Sequence, residues 1–534
     1  MSMLKQDLNQ EFGSTKLWVM IFILLFLTYA YCRQNTYNVN AVTRTAMVVG
    51  ILEEGSVRID KYQAITCDKA FYAGHYYSDK APGLSLAAVP SMATAYAVLK
   101  VACKAQLDLD AATKKPTQAF ELLTLIGTIF TSGLSTAAAA AALGWLCLRL
   151  GCTRGGAVFA ALTFALATPA WGWATSFFGH ALAGSCCLLG FVVAIYLLEN
   201  NIQNKGKSAP WILVGGLLGF SVLVEYTLAV ACVIIGLMIL WKLAMVAKDR
   251  VVPALIGLSI GALPSAITFL TYNYLIFGSC FDVGYKHEVV FPGMNQGFMG
   301  ISLPKLSALW GIIGSSQHGI LWISPIAALI PLAFWASFCP RKTRAYTAAA
   351  FFIVAYFISM NSCYYYWWGG ASTGPRLLTP ALGFACLPLG FLWSAAGKKQ
   401  RICLISILSV SVFTSMACTL VTMNIFWTEY SNILFQKLIP DLLAGRVQNL
   451  GQFIGLSGYW SLVPLVLLWA VGARHIARLI RGHETSKKIP SKLVRPYGIT
   501  YIDSKLHNVK NIHAKSIQTT NKDSNAVATC RNLL

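Results

Sequence analysis

Twelve apolar runs follow one another through this chain, most of them long enough to cross a hydrocarbon layer about 30 Å thick. They are Leu17–Cys32, Ala119–Leu148, Gly155–Ala174, Ala181–Leu198, Trp211–Val224, Leu228–Val246, Val251–Phe277, Gly319–Phe338, Ala345–Met360, Leu377–Ala396, Ile402–Met423 and Tyr459–Ala473. Composition agrees: 56% of residues are hydrophobic and only 12% charged, with a mean hydropathy of +0.60, too little polar surface for a water-soluble globule. The expected class is an all-α polytopic membrane protein of about twelve transmembrane helices.

A thirteenth run, Gly83–Cys103, decides the side on which every later loop lies. Short cytoplasmic loops carry the excess of Lys and Arg. If Gly83–Cys103 does not cross and the N-terminus is inside, thirteen basic residues fall in inner short loops: Arg149, Arg154, Lys205, Lys207, Lys242, Lys248, Arg250, Arg341, Lys342, Arg344, Lys398, Lys399 and Arg401. Only five, Lys286, Lys305, Arg376, Lys437 and Arg446, fall outside. A thirteenth span inverts that count and also puts the basic C-terminal tail outside. Pro82 and Pro90 interrupt the run, Ser85, Ser91 and Thr94 dilute it, and Lys100 and Lys104 close it, so an interfacial helix on the outer surface is expected. A true span with an unusual charge pattern is the competing reading.

The first outer loop then runs from 33 to 118. In it, Asn40–Glu54 carries Val42, Ala46, Val49 and Leu52 at helical spacing and is stopped by Gly55. Between this helix and the one starting at Gly83 lies a polar stretch with Arg58, Asp60, Asp68, His75, Asp79 and Lys80. Glu225, Tyr226 and Thr227 divide Trp211–Val246 into two spans with a tight outer turn rather than one long tilted helix, since the basic residues on both flanks then share a side.

The first run is read as a retained anchor, because no small-residue cleavage site follows it. Residues 1–473 form the membrane-embedded part. Residues 474–534 are polar, rich in Lys, Asn and Ser, and are expected to be a disordered cytoplasmic tail, so that both termini are cytoplasmic. The net charge of +22 is explained by attraction to anionic lipid headgroups, without a nucleic-acid partner. Fifteen cysteines show no zinc-type spacing and read as small buried hydrophobes. The chain has no phosphate-binding loop of the nucleotide-binding type; Gly215, Gly216 and Gly219 lie inside a span and read as close helix packing.

The remaining polar outer segments are "FFGH" ending at His180, the turn at Glu225, Asp282–Gly300, and "YYYWWGGASTGPR" from Tyr364 to Arg376. Joined to the first loop, they would gather carboxylates, histidines, cations and an aromatic wall, as a sugar and a phosphate at an interface require.

The order of a short N-terminal span, a surface helix, "SDKAPG", a second surface helix and a later "WWGGASTGPR" resembles the GT-C class of integral membrane glycosyltransferases. Within it, the bacterial branch of aminoarabinose, galacturonic acid and protein O-mannosyl transferases is the most similar. The resemblance covers roughly Leu17–Ala473 as architecture. It implies transfer of a sugar from a polyprenyl-phosphate donor to a lipid, polysaccharide or protein acceptor, on the outer face of the cytoplasmic (inner) membrane. Lys80-Ala81-Pro82 matches the family's Lys-Pro-Pro, whose lysine faces the lipid phosphate. The family's acidic residue at the start of the first surface helix falls here on Asn40 and Ala41, so the carboxylate is missing.

Asparagine is no general base, so an aspartate near Lys80 is expected to stand in: Asp60 first, then Asp79 and Asp68. Lys80, Arg376 and Arg58 are the candidates for the donor phosphate, and His180, Glu225, His287, Tyr366 and Trp368 for the substrate. No cofactor is required by the sequence, and His180 and His287 leave a divalent metal open. Each residue has an ordinary alternative: loop aspartates cap turns, Arg376 anchors a span to headgroups, Glu225 forms a turn, the histidines are interfacial, and the aromatics form a belt. A transporter or flippase of a lipid-linked or small polar substrate is the competing class, favoured by Pro253, Pro264, Pro325 and Pro380 within spans. Against it, acids and bases gather at span ends rather than at the midplane.

Overall fold

The computed structural model describes residues 2–34, 38–103, 107, 109, 115–200, 208–338 and 340–485. Lys104, Lys205, Lys207 and the tail beyond 485 lie outside the described residues. Among the described residues, nine helices are long and apolar enough to cross a membrane, Gly83–Ala102 being one of them. Setting that one aside, the other eight coincide with expected runs, and four shorter apolar helices account for the remaining four.

In chain order, α1 (Ser2–Tyr31) is followed by α2 (Val39–Glu54), a hairpin of β1 (Ala70–Tyr72) and β2 (His75–Tyr77), and α3 (Gly83–Cys103). Next come α4 (Gln118–Thr128) and α5 (Leu134–Arg149), joined through one wide turn at Ile129–Gly133, then α6 (Arg154–Leu166), α7 (Ala170–Ala174) and α8 (Gly179–Glu199). The rest are α9 (Ala209–Val224), α10 (Leu228–Val246), α11 (Val251–Phe277), α12 (Leu306–Ile313), α13 (Ile320–Ile323), α14 (Ile330–Phe338), α15 (Arg344–Cys363), α16 (Leu382–Ala395), α17 (Lys398–Val421), α18 (Ile439–Leu443) and α19 (Val463–Thr485).

Local chemistry sets several boundaries. Asn38 caps α2 by accepting from the Asn40 N–H, and Gly55 closes it at φ 62°, a left-handed position suited to glycine. Ala73 and Gly74, at φ 49° and 84°, make the two-residue turn that pairs Ala70 with Tyr77 and Tyr72 with His75. Apolar periodicity does not announce this hairpin.

Proline splits three of the expected runs. Gly155–Ala174 breaks ahead of Pro169 into α6 and α7, Gly319–Phe338 breaks at Ser324-Pro325 into α13 and α14, and Leu377–Ala396 opens with a tight turn holding Pro380 before α16. The break at Glu225 is as expected. At the C-terminal end the expectation needs correction: α19 runs through Thr485, so the polar tail does not begin at 474. Ile476, Leu479 and Ile480 prolong an apolar face at helical spacing, and Ile476 is buried, which carries the helix past its polar residues.

Burial separates centre from periphery. The apolar windows of α8 and of Arg376–Ala395 are 78% covered by the rest of the protein, those of α11 and of Gly458–Ile480 only 17%, so α8 and α16 are central and α11 and α19 face outward. Glycine lets neighbours touch backbone to backbone: a Cβ on Gly215 would lie 2.1 Å from the carbonyl oxygen of Leu258 on α11. That is the close packing expected of this glycine cluster.

The 32-residue stretch Gln118–Arg149 is about 48 Å long at ~1.5 Å per residue, well beyond a ~30 Å hydrocarbon layer. Helix α3 packs along α4 and Ile129–Gly133, the first half of that stretch. Its first residue, Gly83, touches the backbone of Leu223 and Val224 at the end of α9.

Candidate active site

The site is built where α2, the hairpin, the start of α3 and the turn between α9 and α10 meet. Lys80 stands between two buried carboxylates: its Nζ donates to Asp79 Oδ2 at 2.6 Å and lies 3.3 Å from Asp68 Oδ1. The ammonium also sits over the ring of Tyr285, 5.6 Å from its centre. Asp68 is brought here by Thr66, whose hydroxyl accepts from the Asp68 N–H at 3.1 Å. Asp79 is pressed from the other side by Gly284, where even a Cβ would come within 3.0 Å of the Asp79 backbone.

Burial raises the Asp79 carboxyl to about 7; Lys80 lowers it and Asp68 raises it further. Burial works against the Lys80 ammonium, yet Asp68 and Asp79 outweigh it and hold its pKa above the usual lysine range. Asp79 Oδ1 is buried and accepts no hydrogen bond from the described residues. It is therefore an acceptor with an open valence, directed into the protein and poised near neutral pH.

A second ionic group braces the first. Arg44, 1% exposed, donates from Nε to Asn40 Oδ1 at 3.0 Å, from Nη1 to the Ala81 carbonyl at 3.1 Å and from Nη2 to Glu225 Oε1 at 3.1 Å. One guanidinium thus ties α2, the residue next to Lys80 and the turn at Glu225, and its fork geometry makes that three-way tie available to arginine but not lysine. His180, in the first turn of α8, places Nδ1 3.7 Å from the same Glu225 oxygen. Gly179 makes room for that carboxylate: a Cβ there would lie 2.1 Å from Glu225 Oε1. Burial raises the Glu225 carboxyl, while Arg44, Lys80 and Arg376 all pull it back, so the three cations share one field.

Arg376 is half-buried, lies over Phe178 at 4.9 Å and Trp173 at 5.8 Å, and its Nε finds no acceptor among the described residues. Tyr364 completes the wall. Burial pushes its hydroxyl up to about 12, and Lys80, Arg376, Asp79 and Asp68 all act on it. Tyr366 packs at a tilt against Trp368, 4.6 Å between ring centres, and against Phe291 at 5.7 Å, both rings half-buried. Buried His318 meets Trp367 edge-on at 5.8 Å; burial first, then Arg376, lowers it to about 3, so this imidazole is neutral.

The structure thus gathers Asp68, Asp79, Lys80, His180, Glu225 and Arg376 into one charged neighbourhood. Three other candidates stand apart. Asp60 is exposed and spent on the hairpin: its carboxylate accepts from the Tyr76 N–H at 2.6 Å and pairs with His75 Nδ1 at 2.8 Å. Arg58 is exposed, its backbone bridging Tyr77 at the edge of the hairpin. His287 pairs with Asp282 at 2.9 Å and stacks on Phe277 at 4.8 Å, fastening the outer loop to the end of α11. Among the described residues, no group of three or more His, Cys, Asp or Glu is arranged to hold a metal ion.

Arg44, Tyr285 and His318 are neighbours that the sequence reading does not single out, whereas Tyr364 opens the aromatic run that it does. For Arg44 a signal exists: it is the one cation inside an otherwise apolar helix, four residues after Asn40. Neighbourhood in space, not in sequence, reveals the other two.

No protein-family profile matches the sequence, and no curated protein does either. Among solved structures, the chain is similar to ArnT from Cupriavidus metallidurans, crystallised with undecaprenyl phosphate bound. The two share 12% identity over 89% of this chain and 77% of that one, with a TM-score of 0.46.

Proposed function

We propose that this protein is a GT-C-type glycosyltransferase that moves a sugar from a polyprenyl-phosphate donor to a lipid, glycan or protein acceptor at the outer face of the cytoplasmic membrane. The observation that carries the reading is Lys80 held between Asp68 and Asp79, with Arg376 and a tyrosine wall around them. In the proposed reaction Lys80 and Arg376 neutralise the donor phosphate as the bond from sugar to phosphate oxygen breaks. Asp79, poised near pH 7, takes the proton of the acceptor group that forms the new bond to the sugar. The polyprenyl phosphate leaves with its electron pair, and Asp68 keeps the lysine charged throughout. This assigns to Asp79 the part that Asp60, bound up in the hairpin, is badly placed to play.

The same reading puts 33–118 on the outer side, with α3 as an interfacial helix against the protruding first half of the 32-residue stretch, and both termini in the cytoplasm. Contact of α3 with α4, the first half of that stretch, and with the Glu225 end of α9 supports that arrangement. Each of the proposed steps is assigned to the chain's own residues.

The test is transfer from a panel of radiolabelled polyprenyl-phosphate sugars, presented in lipid nanodiscs with membrane extract as the acceptor source. Turnover with at least one donor, lost in Lys80→Met and Asp79→Asn, is expected. Absence of turnover and donor binding across the panel contradicts the class, and unchanged turnover in both variants contradicts the roles.

A further inference from the structure

A second polar site lies outside this machinery. Beyond the C-terminal end of α17 an open cavity of about 350 Å3 is lined by Thr422, Lys437, Asp441, Arg446 and Gln448, among others. Its floor is the carboxylate of Asp441, 6% exposed, which accepts from Lys437 Nζ at 2.8 Å and from both Nε, at 2.7 Å, and Nη2 of Arg446. The Arg446 N–H also donates to the Asp441 carbonyl at 2.9 Å, closing a turn that fixes the guanidinium on its carboxylate.

Charge and geometry leave donors in this cavity facing solvent. Two cations share one carboxylate, a net charge of +1, and no other acid among the described residues lines the space. An ammonium has three donors and a guanidinium five, so several N–H groups are left over after Asp441 has been served. Buried Asp441 holds both heads at the same place, which pre-organises them for a further anion. The volume falls in the range of small-ligand sites and exceeds what one water or chloride fills. The wall is also fixed: Gln448 donates its N–H to the Leu420 carbonyl at 2.7 Å, and Thr373 donates from Oγ1 to the Thr422 carbonyl at 3.1 Å. Thr373 belongs to the loop that carries Arg376, so the cavity backs onto that loop without sharing the site's charged residues.

We propose that Lys437 and Arg446 form a binding subsite for a phosphate-class oxyanion, supplied either by a lipid headgroup or as free phosphate. The subsite is separate from the one around Lys80 and does not depend on the transfer reaction.

Binding is measured on the full chain in phosphatidylcholine nanodiscs by isothermal calorimetry, with inorganic phosphate and with a short-chain phosphatidylglycerol as two probes. Wild type is compared with Arg446→Gln and Lys437→Gln; the residues around Lys80 are intact in all three, so the difference reports this cavity alone. Each variant removes charge-assisted contacts, and about tenfold weaker binding of at least one probe is expected in each. Weakening with inorganic phosphate identifies a free anion as sufficient, and weakening with phosphatidylglycerol alone identifies a lipid headgroup; both outcomes support the subsite. Equal affinity of wild type and both variants for both probes, or no binding to any of them, overturns it. Arg446 is two-thirds exposed, so its loss is expected to leave the fold intact; were that variant unstable, Lys437→Gln carries the same comparison.

Discussion

The Nη2 of Arg44 meets Oε1 of Glu225 at 3.1 Å, an ion pair across 181 residues of sequence with side chains only 2% and 8% exposed. It joins the helix before the site to the turn behind it. A buried pair of this kind contributes less than its Coulomb attraction, but removing one partner strands the other's charge. Arg44→Met is therefore expected to cost about 3–5 kcal/mol, read as a lower midpoint in thermal unfolding in detergent. Arg44→Lys is expected to recover little, because one ammonium does not reach Asn40, Ala81 and Glu225 together.

Gly179 tests the same pair without touching a charge. A Cβ there collides with the Glu225 carboxylate, so Gly179→Ala is expected to push Glu225 off Arg44 and destabilise by about 1–3 kcal/mol. The double variant Gly179→Ala, Glu225→Ala relieves the clash. Its stability is predicted to equal that of Glu225→Ala alone, and additive losses in unfolding experiments would contradict the contact.

Asp79 makes the site sensitive to pH. Its carboxyl is raised from an ordinary 3.8 to about 7, so between those values the folded protein binds a proton that the unfolded chain releases. Stability therefore falls as pH rises from about 4 to about 7, and Asp79→Asn is expected to flatten that slope. Transfer activity, which needs the ionised carboxylate, is expected to rise over the same window with a midpoint near 7. Lys80→Met removes the cation that lowers this carboxyl, so any residual activity should show its midpoint displaced upward.

Asp60, the first choice from sequence, and Asp79, the second, are separable by kinetics. Asp79→Asn is expected to lower kcat by about a hundredfold or more, the scale of a lost general base. Asp60→Asn loosens only the exposed end of the hairpin and is predicted to change kcat less than about threefold, on the scale of a surface hydrogen bond. Comparable losses in both would return Asp60 to the reaction.

Much of this arrangement is legible in the sequence. Apolar runs locate the membrane helices, Gly55 ends α2, and Glu225 breaks a run too polar at its centre to be one helix. Lys80, Asp68, Asp79, Glu225 and Arg376 are all visible as charges in or beside apolar surroundings. Their division of labour is not. Whether an aspartate in a loop is buried beside a lysine or used to cap a hairpin depends on the Ala73-Gly74 turn, which turns the chain back so that the Asp60 carboxylate takes the Tyr76 N–H and the His75 ring. The helix breaks before Pro169 and Pro325 are local and readable, whereas the docking of Tyr285 over Lys80 and Tyr364 beside Arg376 is a matter of long-range packing with no local signature.

The central claim is that Lys80 and Arg376 hold the phosphate of a polyprenyl-linked donor. Equilibrium binding of a radiolabelled polyprenyl phosphate to the protein in nanodiscs at pH 7 tests it most directly. Saturable binding is predicted for wild type, weakened about tenfold or more in Lys80→Met and in Arg376→Gln, as expected when one charged contact is removed. Binding of equal strength in wild type and both variants, each shown to be folded, would contradict the account.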